Sequence, residues 1–227
     1  RETANAAFGN AASVLVGDYI YTRSFQMMTS VDSLKVLKVM SAATNALAEG
    51  EVQQLMNVND PNTTEENYMK VIYNKTARLF EAATQCVAIV AEQSEEVEAA
   101  LKAYGCYLGT AFQLVDDILD YSANAQTMGK NVGDDLAEGK PTLPLIYLMQ
   151  QGSQAARQDV RNALQNADRA YFDKIHQHIA ESNALEYCMT QAKEAVSQAI
   201  HCLKRLPDNE ITQTMRQMAE LSVERAA

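Results

Sequence analysis

The residues best spaced for chemistry are Asp116, Asp117 and Asp120, in the run Phe112-Gln113-Leu114-Val115-Asp116-Asp117-Ile118-Leu119-Asp120-Tyr121. In a helix, Asp116 and Asp120 stand one turn apart on one face, and Asp117 projects about 100° around from Asp116. A charge run of this kind is usually a solvated face, and two features count against that here. Phe112, Leu114, Val115, Ile118 and Leu119 surround the aspartates with apolar surface, so the helix is expected to be largely buried. No Lys or Arg stands three or four residues from any of the three to neutralise them. Carboxylates clustered in low dielectric repel one another and take up protons unless cations arrive. Hard oxygen donors on a rigid helix suit Mg²⁺, which keeps several waters and uses one or two carboxylates together with substrate phosphates.

The loop that follows, residues 122–141, holds Gly129-Lys130 and Gly139-Lys140 with Asp134, Asp135 and Glu138 between them. From Asp116 to Lys140 there are six acidic and two basic residues, a local net charge of -4. Glycine beside lysine lets the backbone come close to an anion that the ammonium reaches. A nucleotide-binding loop of the G-x-x-x-x-G-K-[ST] type is excluded: Gly133 to Gly139 is one residue too long, and Pro141 stands where Ser or Thr is needed. Taken alone, Lys130 and Lys140 are ordinary surface residues; beside the carboxylate cluster they read as diphosphate ligands. Lys75 falls inside an apolar stripe of Tyr68, Val71, Ile72, Leu79 and Ala82. It either snorkels to solvent or meets an anion in the interior, and Thr76 beside it offers a hydroxyl donor.

The elements that must position these groups are helices. The chain has 227 residues, 47% of them hydrophobic, with only 9 Gly and 4 Pro. The stretches between are rich in Ala, Leu, Met, Gln and Glu, the strong helix formers. Helices are expected over 3–28, 33–57, 63–91, 94–121, 143–151, 154–165, 170–181, 184–205 and 210–220, with 122–141 as a loop. The first places Phe8, Ala11, Ala12, Leu15 and Tyr19 at helical spacing. Thr63-x-x-Glu66 is read as a capping box opening the third, and Ser94 as the cap of the fourth. No strand-period segment, repeat or linker appears, so the expectation is a single all-α domain over 1–227.

A net charge of -10 argues against wrapping a nucleic-acid backbone, though an acidic protein binds phosphates when a divalent cation bridges the two. No run approaches the roughly 18 apolar residues of a membrane span, and no signal peptide is visible. Cys86, Cys106, Cys188 and Cys202 are widely separated, as expected of reduced core residues in a cytoplasmic protein. With them His176, His178 and His201 form no zinc-ligand spacing.

Together these motifs resemble the second aspartate-rich region of the trans-polyprenyl diphosphate synthases. The matching residues are Gly109-x-x-Phe112-Gln113-x-x-Asp116-Asp117-x-x-Asp120, then Gly129-Lys130 and Gly133-Asp134-Asp135-Leu136-x-Glu138-Gly139-Lys140-x-Thr142-Leu143-Pro144, with Lys75-Thr76 as that family's Lys-Thr pair. The resemblance covers essentially the whole chain and is strongest to the bacterial, octaprenyl-forming branch, which makes quinone side chains. It implies a homodimeric isoprenoid-synthase-type helical bundle around a central cavity. It implies Mg²⁺ held by Asp116 and Asp120, with Asp117 supporting. Lys75, Lys130 and Lys140 would bind the allylic diphosphate, assisted by Thr76 and Gln113, with Lys75 and Asp116 the catalytic pair. The implied reaction condenses isopentenyl diphosphate onto a farnesyl-type allylic diphosphate.

The family also carries an earlier aspartate-rich motif with an arginine pair, and a Gly-Lys-x-Arg region for isopentenyl diphosphate. Neither is in this sequence, so the resemblance implies a longer protein of which this is the part lacking its N-terminal helices, with Arg1 as a remnant just after the first motif. Another reading of the same residues is a non-catalytic prenyl-diphosphate-binding regulatory subunit; a third is a terpene cyclase, which the Gly-Lys and Lys-Thr pairs fit less well. Met27, Met28 and Met40, adaptable side chains on the first two helices, are read either as plain core or as the floor of a product tunnel.

Overall fold

The computed structural model describes residues 3–122 and 133–224, and every regular element among them is helical. In chain order these are α1 (Ala4–Phe8), α2 (Asn10–Ser30), α3 (Leu34–Asn57), α4 (Glu65–Ile72), a π-helical turn (Tyr73–Ala77), α5 (Arg78–Val90) and α6 (Glu95–Leu119). After the loop come α7 (Asp134–Ala137), α8 (Leu143–Gln151), α9 (Gln154–Asn166), α10 (Phe172–Ala180), α11 (Ala184–Cys202) and α12 (Glu210–Glu224). Short 3₁₀ turns, Arg169–Tyr171 and Leu203–Arg205, precede α10 and follow α11. The all-α expectation is met.

Side-chain caps set several of these boundaries. Ser33, Ser94 and Ser153 each accept a hydrogen bond from the amide three residues on, satisfying one orphan donor of α3, α6 and α9. Glu95, Glu96 and Glu98 in the first turn of α6 sit at the positive end of its dipole. The cap of α4 is Thr64, which accepts from the Asn67 amide, not Thr63. Thr63 is buried and its hydroxyl donates to the Asp60 carbonyl, closing the Asp60 turn instead.

Helix α6 is the axis of the fold, packed most extensively against α5 and α11. Leu114, Val115, Ile118 and Leu119 join Tyr68, Ile72, Leu143, Ile146, Cys188 and Ala192 in one buried cluster directly around the aspartates. Burying each such Leu or Ile contributes about 2 kcal/mol, so the carboxylate helix is held from most sides. A second cluster, including Tyr121, Leu136, Leu145, Leu148 and Ile175, anchors α7 through Leu136. The loop expected over 122–141 therefore returns through a short helix.

Two expectations are corrected here. Phe8, Leu15 and Tyr19, lined up at helical spacing, are 76%, 68% and 69% exposed, and α2 buries no residue at all. Its apolar side chains point all round, and Gly9 at φ 81° breaks it from α1. The stripe through Lys75 is also interrupted. Tyr68, Val71, Ile72 and Ala82 are buried as expected, but Leu79 is exposed. The π turn adds a residue to the helix, so beyond it the inward face falls on Ala77, Glu81 and Ala82.

That turn is wide, and two glycines make room for it. A Cβ on Gly50 of α3 would lie 2.8 Å from the Lys75 backbone nitrogen, and one on Gly109 of α6 would lie 2.6 Å from Ala77 Cα. Both obstacles are backbone and cannot rotate away. Gly109→Ala is expected to destabilise the fold by about 3 kcal/mol through overpacking, read as a lowered denaturant midpoint.

Candidate active site

Three helical segments meet around a cavity of about 220 Å³. The π turn contributes Lys75 and Thr76, α6 contributes Gln113, Asp116 and Asp117, and the return of the loop contributes Asp135 and Lys140. Gln54 and Asn57 from the end of α3, with Thr63, Tyr68 and Thr142, complete the polar part of the lining. Of the residues singled out from sequence, the structure thus brings together Lys75, Thr76, Gln113, Asp116, Asp117 and Lys140. Gly129 and Lys130 lie outside the described residues, as does Arg1.

A chain of hydrogen bonds runs across the cavity wall. The Thr76 hydroxyl donates to Gln113 Oε1 at 2.8 Å, and Gln113 Nε2 donates to Asp117 Oδ1 at 2.7 Å. The other Asp117 oxygen accepts from Tyr68 Oη at 2.7 Å. Tyr68 was visible in sequence only as an apolar-stripe residue; a tyrosine hydroxyl in such a stripe needs a buried acceptor, and that was the available signal. Lys75 Nζ donates to Gln54 Oε1 at 2.6 Å and lies 3.2 Å from Glu51. Lys140 Nζ is 3.1 Å from Asp135 and 2.5 Å from Glu138.

The electrostatics match a site short of positive charge. Asp117 is 4% exposed, and its carboxyl is pushed up to about 7 by burial first and then by the charge of Asp135, against the lowering hydrogen bonds of Tyr68 and Gln113. Burial tends to lower Lys140, but its contacts with Glu138 and Asp135 outweigh this and raise it to about 12. Asp117 is thus raised mainly by burial and Lys140 by its carboxylate partners.

Asp120 behaves differently from its neighbours and does not line the cavity. Its two carboxylate oxygens accept the backbone amides of Asp134 and Asp135 at 3.3 and 3.2 Å, and its carbonyl accepts the Gly133 amide at 3.1 Å. It therefore caps the start of α7 and fixes where Asp135 enters the site. Burial and the charge of Asp135 raise it to about 6. Asn59 is the other residue that sequence inspection missed. It adopts φ 64°, donates its amide to the Gly139 carbonyl at 2.9 Å, and lays its side chain over the Gly139 Cα. Among the described residues no three His, Cys, Asp or Glu side chains converge as a ready-made metal cage.

A second, apolar groove of about 520 Å³ lies further along α3 and α5, lined by Met27, Met28, Val36, Met40, Ala83, Cys86, Val87 and Val90. Helix α3 contributes to the lining of both the cavity and the groove. Gln54 and Met40 on α3 are separated by about 21 Å at 1.5 Å per residue.

A sequence profile described as Polyprenyl synthetase matches residues 1–182. The chain belongs to the polyprenyl synthetase family. It is 58% identical over 226 residues to the octaprenyl diphosphate synthase of Haemophilus influenzae, covering 99% of this chain and 69% of that protein. It is 55% identical over the same length to the octaprenyl diphosphate synthase of Escherichia coli, covering 70% of it. Among solved structures it resembles a polyprenyl synthase from Caulobacter crescentus CB15 complexed with calcium and isoprenyl diphosphate, with a TM-score of 0.93 and 36% identity over 99% of this chain and 69% of that one. A decaprenyl diphosphate synthase from Rhodobacter capsulatus superposes with a TM-score of 0.92 and 37% identity, over 100% of this chain and 70% of that one. These likenesses agree with the all-α architecture and with the family that the motifs around Asp116 and Lys75 resemble.

Proposed function

We propose that this chain forms the allylic-diphosphate side of a prenyltransferase site that condenses isopentenyl diphosphate onto a farnesyl-type diphosphate. The product is a long-chain all-trans polyprenyl diphosphate, of octaprenyl length, for quinone side chains. One observation carries this reading: two ammonium groups, Lys75 and Lys140, and three carboxylates, Asp116, Asp117 and Asp135, line a single cavity. An anionic substrate is tolerated beside three carboxylates only with a cation between them.

The donor set fits Mg²⁺. Its oxygens are hard, and Asp117 is a buried carboxyl whose charged form is disfavoured until positive charge arrives. Calcium, another hard cation, accompanies isoprenyl diphosphate in the Caulobacter crescentus relative. Asp116 would hold the metal with Asp117 supporting, while Asp120 serves by holding the Asp134 and Asp135 amides. When bound, Mg²⁺ supplies Lewis-acid charge at the diphosphate oxygens and keeps the leaving group in register.

The chain's own residues do the rest. Lys75 and Lys140 donate to the allylic diphosphate, assisted by Thr76 and Gln113, with Lys130 as a further ammonium assigned by resemblance. As the allylic C–O bond breaks, its electron pair leaves with the diphosphate, and these donors stabilise the growing negative charge. The isopentenyl double bond forms the new C–C bond at the allylic carbon, and loss of a proton restores a double bond. Gln113 holds Thr76 on one side and Asp117 on the other, so donor and metal-side carboxylate are positioned together. A homodimer is supported by α2, whose apolar side chains are exposed. Among the described residues no helix is long and apolar enough to cross a membrane, and the four cysteines are free thiols, which supports a cytoplasmic setting.

The growing chain would pass between α3 and α5 into the methionine-lined groove. Met28→Ala combined with Met40→Ala is expected to lengthen the product distribution by at least one five-carbon unit, sized by chromatography of the dephosphorylated products. An unchanged distribution would remove those methionines from the floor. The reaction itself is tested by incubating the longest protein that the gene encodes with farnesyl diphosphate, labelled isopentenyl diphosphate and Mg²⁺. Label in long polyprenyl products is expected. Tight diphosphate binding with no label incorporated would point instead to the non-catalytic subunit.

A further inference from the structure

Glu81 is a carboxylate buried to 3% exposure that does not line the cavity. It accepts a hydrogen bond from Tyr73 Oη at 2.9 Å and is paired with Arg78. From α6, Lys102 Nζ stands 3.6 Å away. Burying an ion pair is a poor route to stability, because desolvation offsets most of the Coulomb gain. Its worth lies in what the geometry fixes. Tyr73 opens the π turn and Arg78 is the first residue after it, so both ends of the turn are tied to one carboxylate. Lys75 and Thr76 lie between those two ties and are the only residues of the turn that line the cavity.

We infer that Glu81 is a positioning residue: by holding Tyr73 and Arg78 it locks the widened turn that presents Lys75 and Thr76 to the substrate's diphosphate. A helix of ordinary pitch would rotate both side chains around the axis, away from Gln54 and Gln113. The inference rests on the proposed role of Lys75 and Thr76, and goes beyond it by assigning a residue outside the cavity to substrate recognition. Misplaced supporting groups of this kind typically cost 10- to 100-fold in what they support.

The test uses Tyr73→Phe and Glu81→Gln in the full-length enzyme, with KM for the allylic diphosphate, KM for isopentenyl diphosphate, kcat and Tm measured on each. Tyr73→Phe removes one tie without stranding a buried charge, so it decides the matter even where Glu81→Gln fails to fold. The expected result is a rise of about 10-fold in KM for the allylic diphosphate alone in Tyr73→Phe. In a Lys75→Ala background the same substitution should add little, because the two residues act as one unit. A lowered Tm with an unchanged allylic KM would overturn the inference, leaving Glu81 a structural ion pair. An unchanged allylic KM in Lys75→Ala alone would instead overturn the reading of the turn as a diphosphate ligand, and the two failures are separable.

Discussion

Asp116→Ala is expected to lower kcat/KM by about 10³-fold, the scale set by losing a group that stabilises leaving-group charge. The loss should fall on kcat, and raising Mg²⁺ should recover only part of it. Asp116 stands on the cavity side of α6, between Gln113 and Asp117 of the hydrogen-bonded wall and Asp120 of the α7 cap. Substitution there leaves the buried cluster of Leu114, Val115, Ile118 and Leu119 intact, so the variant should keep its fold and thermal midpoint. Steady-state kinetics over a Mg²⁺ series, alongside a melting curve, separate the two. Retained turnover would remove Asp116 from the metal site.

Gly139→Ala is the second large effect. The glycine has φ 68°, and a Cβ there would lie 2.0 Å from Asn59 Oδ1. An alanine must therefore leave its left-handed backbone, push the Asn59 turn outward, or both. Either movement shifts Lys140, the next residue, relative to Asp135. A displacement of about 1 Å at a positioned group costs on the order of 10²-fold in rate. We expect kcat/KM for the allylic diphosphate to fall by about that factor, with weakened inhibition by inorganic diphosphate. Adding Asn59→Gly to Gly139→Ala should recover part of the loss, since it removes the Oδ1 that the new Cβ meets and tolerates the positive φ of position 59, so comparing the single and double variants isolates the steric cause.

Much of the site was legible because its chemistry is concentrated in short spacings. Asp116, Asp117 and Gln113 lie within one helical turn and a half, and the apolar residues between them announced a buried carboxylate helix. Lys75 inside an apolar stripe was legible for the same reason: a charge out of period. What escaped was geometry that a 3.6-residue period cannot encode. An added residue in the π turn moved Leu79 to the surface and brought Glu81 inward. Asp120 fits the metal pattern by spacing, and its oxygens also accept the amides of Asp134 and Asp135, fourteen and fifteen residues away. Backbone donors leave no trace in side-chain identity. The role of Asn59 gave no signal in the sequence, because its partner Gly139 lies 80 positions along the chain. The stripe on α2 has helical spacing, but among the described residues nothing buries it, so periodicity there described a helix without describing a core.

The cavity between the π turn, α6 and α7 is proposed to bind an allylic diphosphate through a metal. The most direct measurement is a calorimetric titration of an unreactive farnesyl thiolodiphosphate into the protein, with Mg²⁺ and with the metal chelated, repeated on Asp116→Ala. Binding at least tenfold tighter with Mg²⁺ than without, and a difference abolished by Asp116→Ala, is the predicted result. Binding of equal strength in all of these conditions would contradict the account.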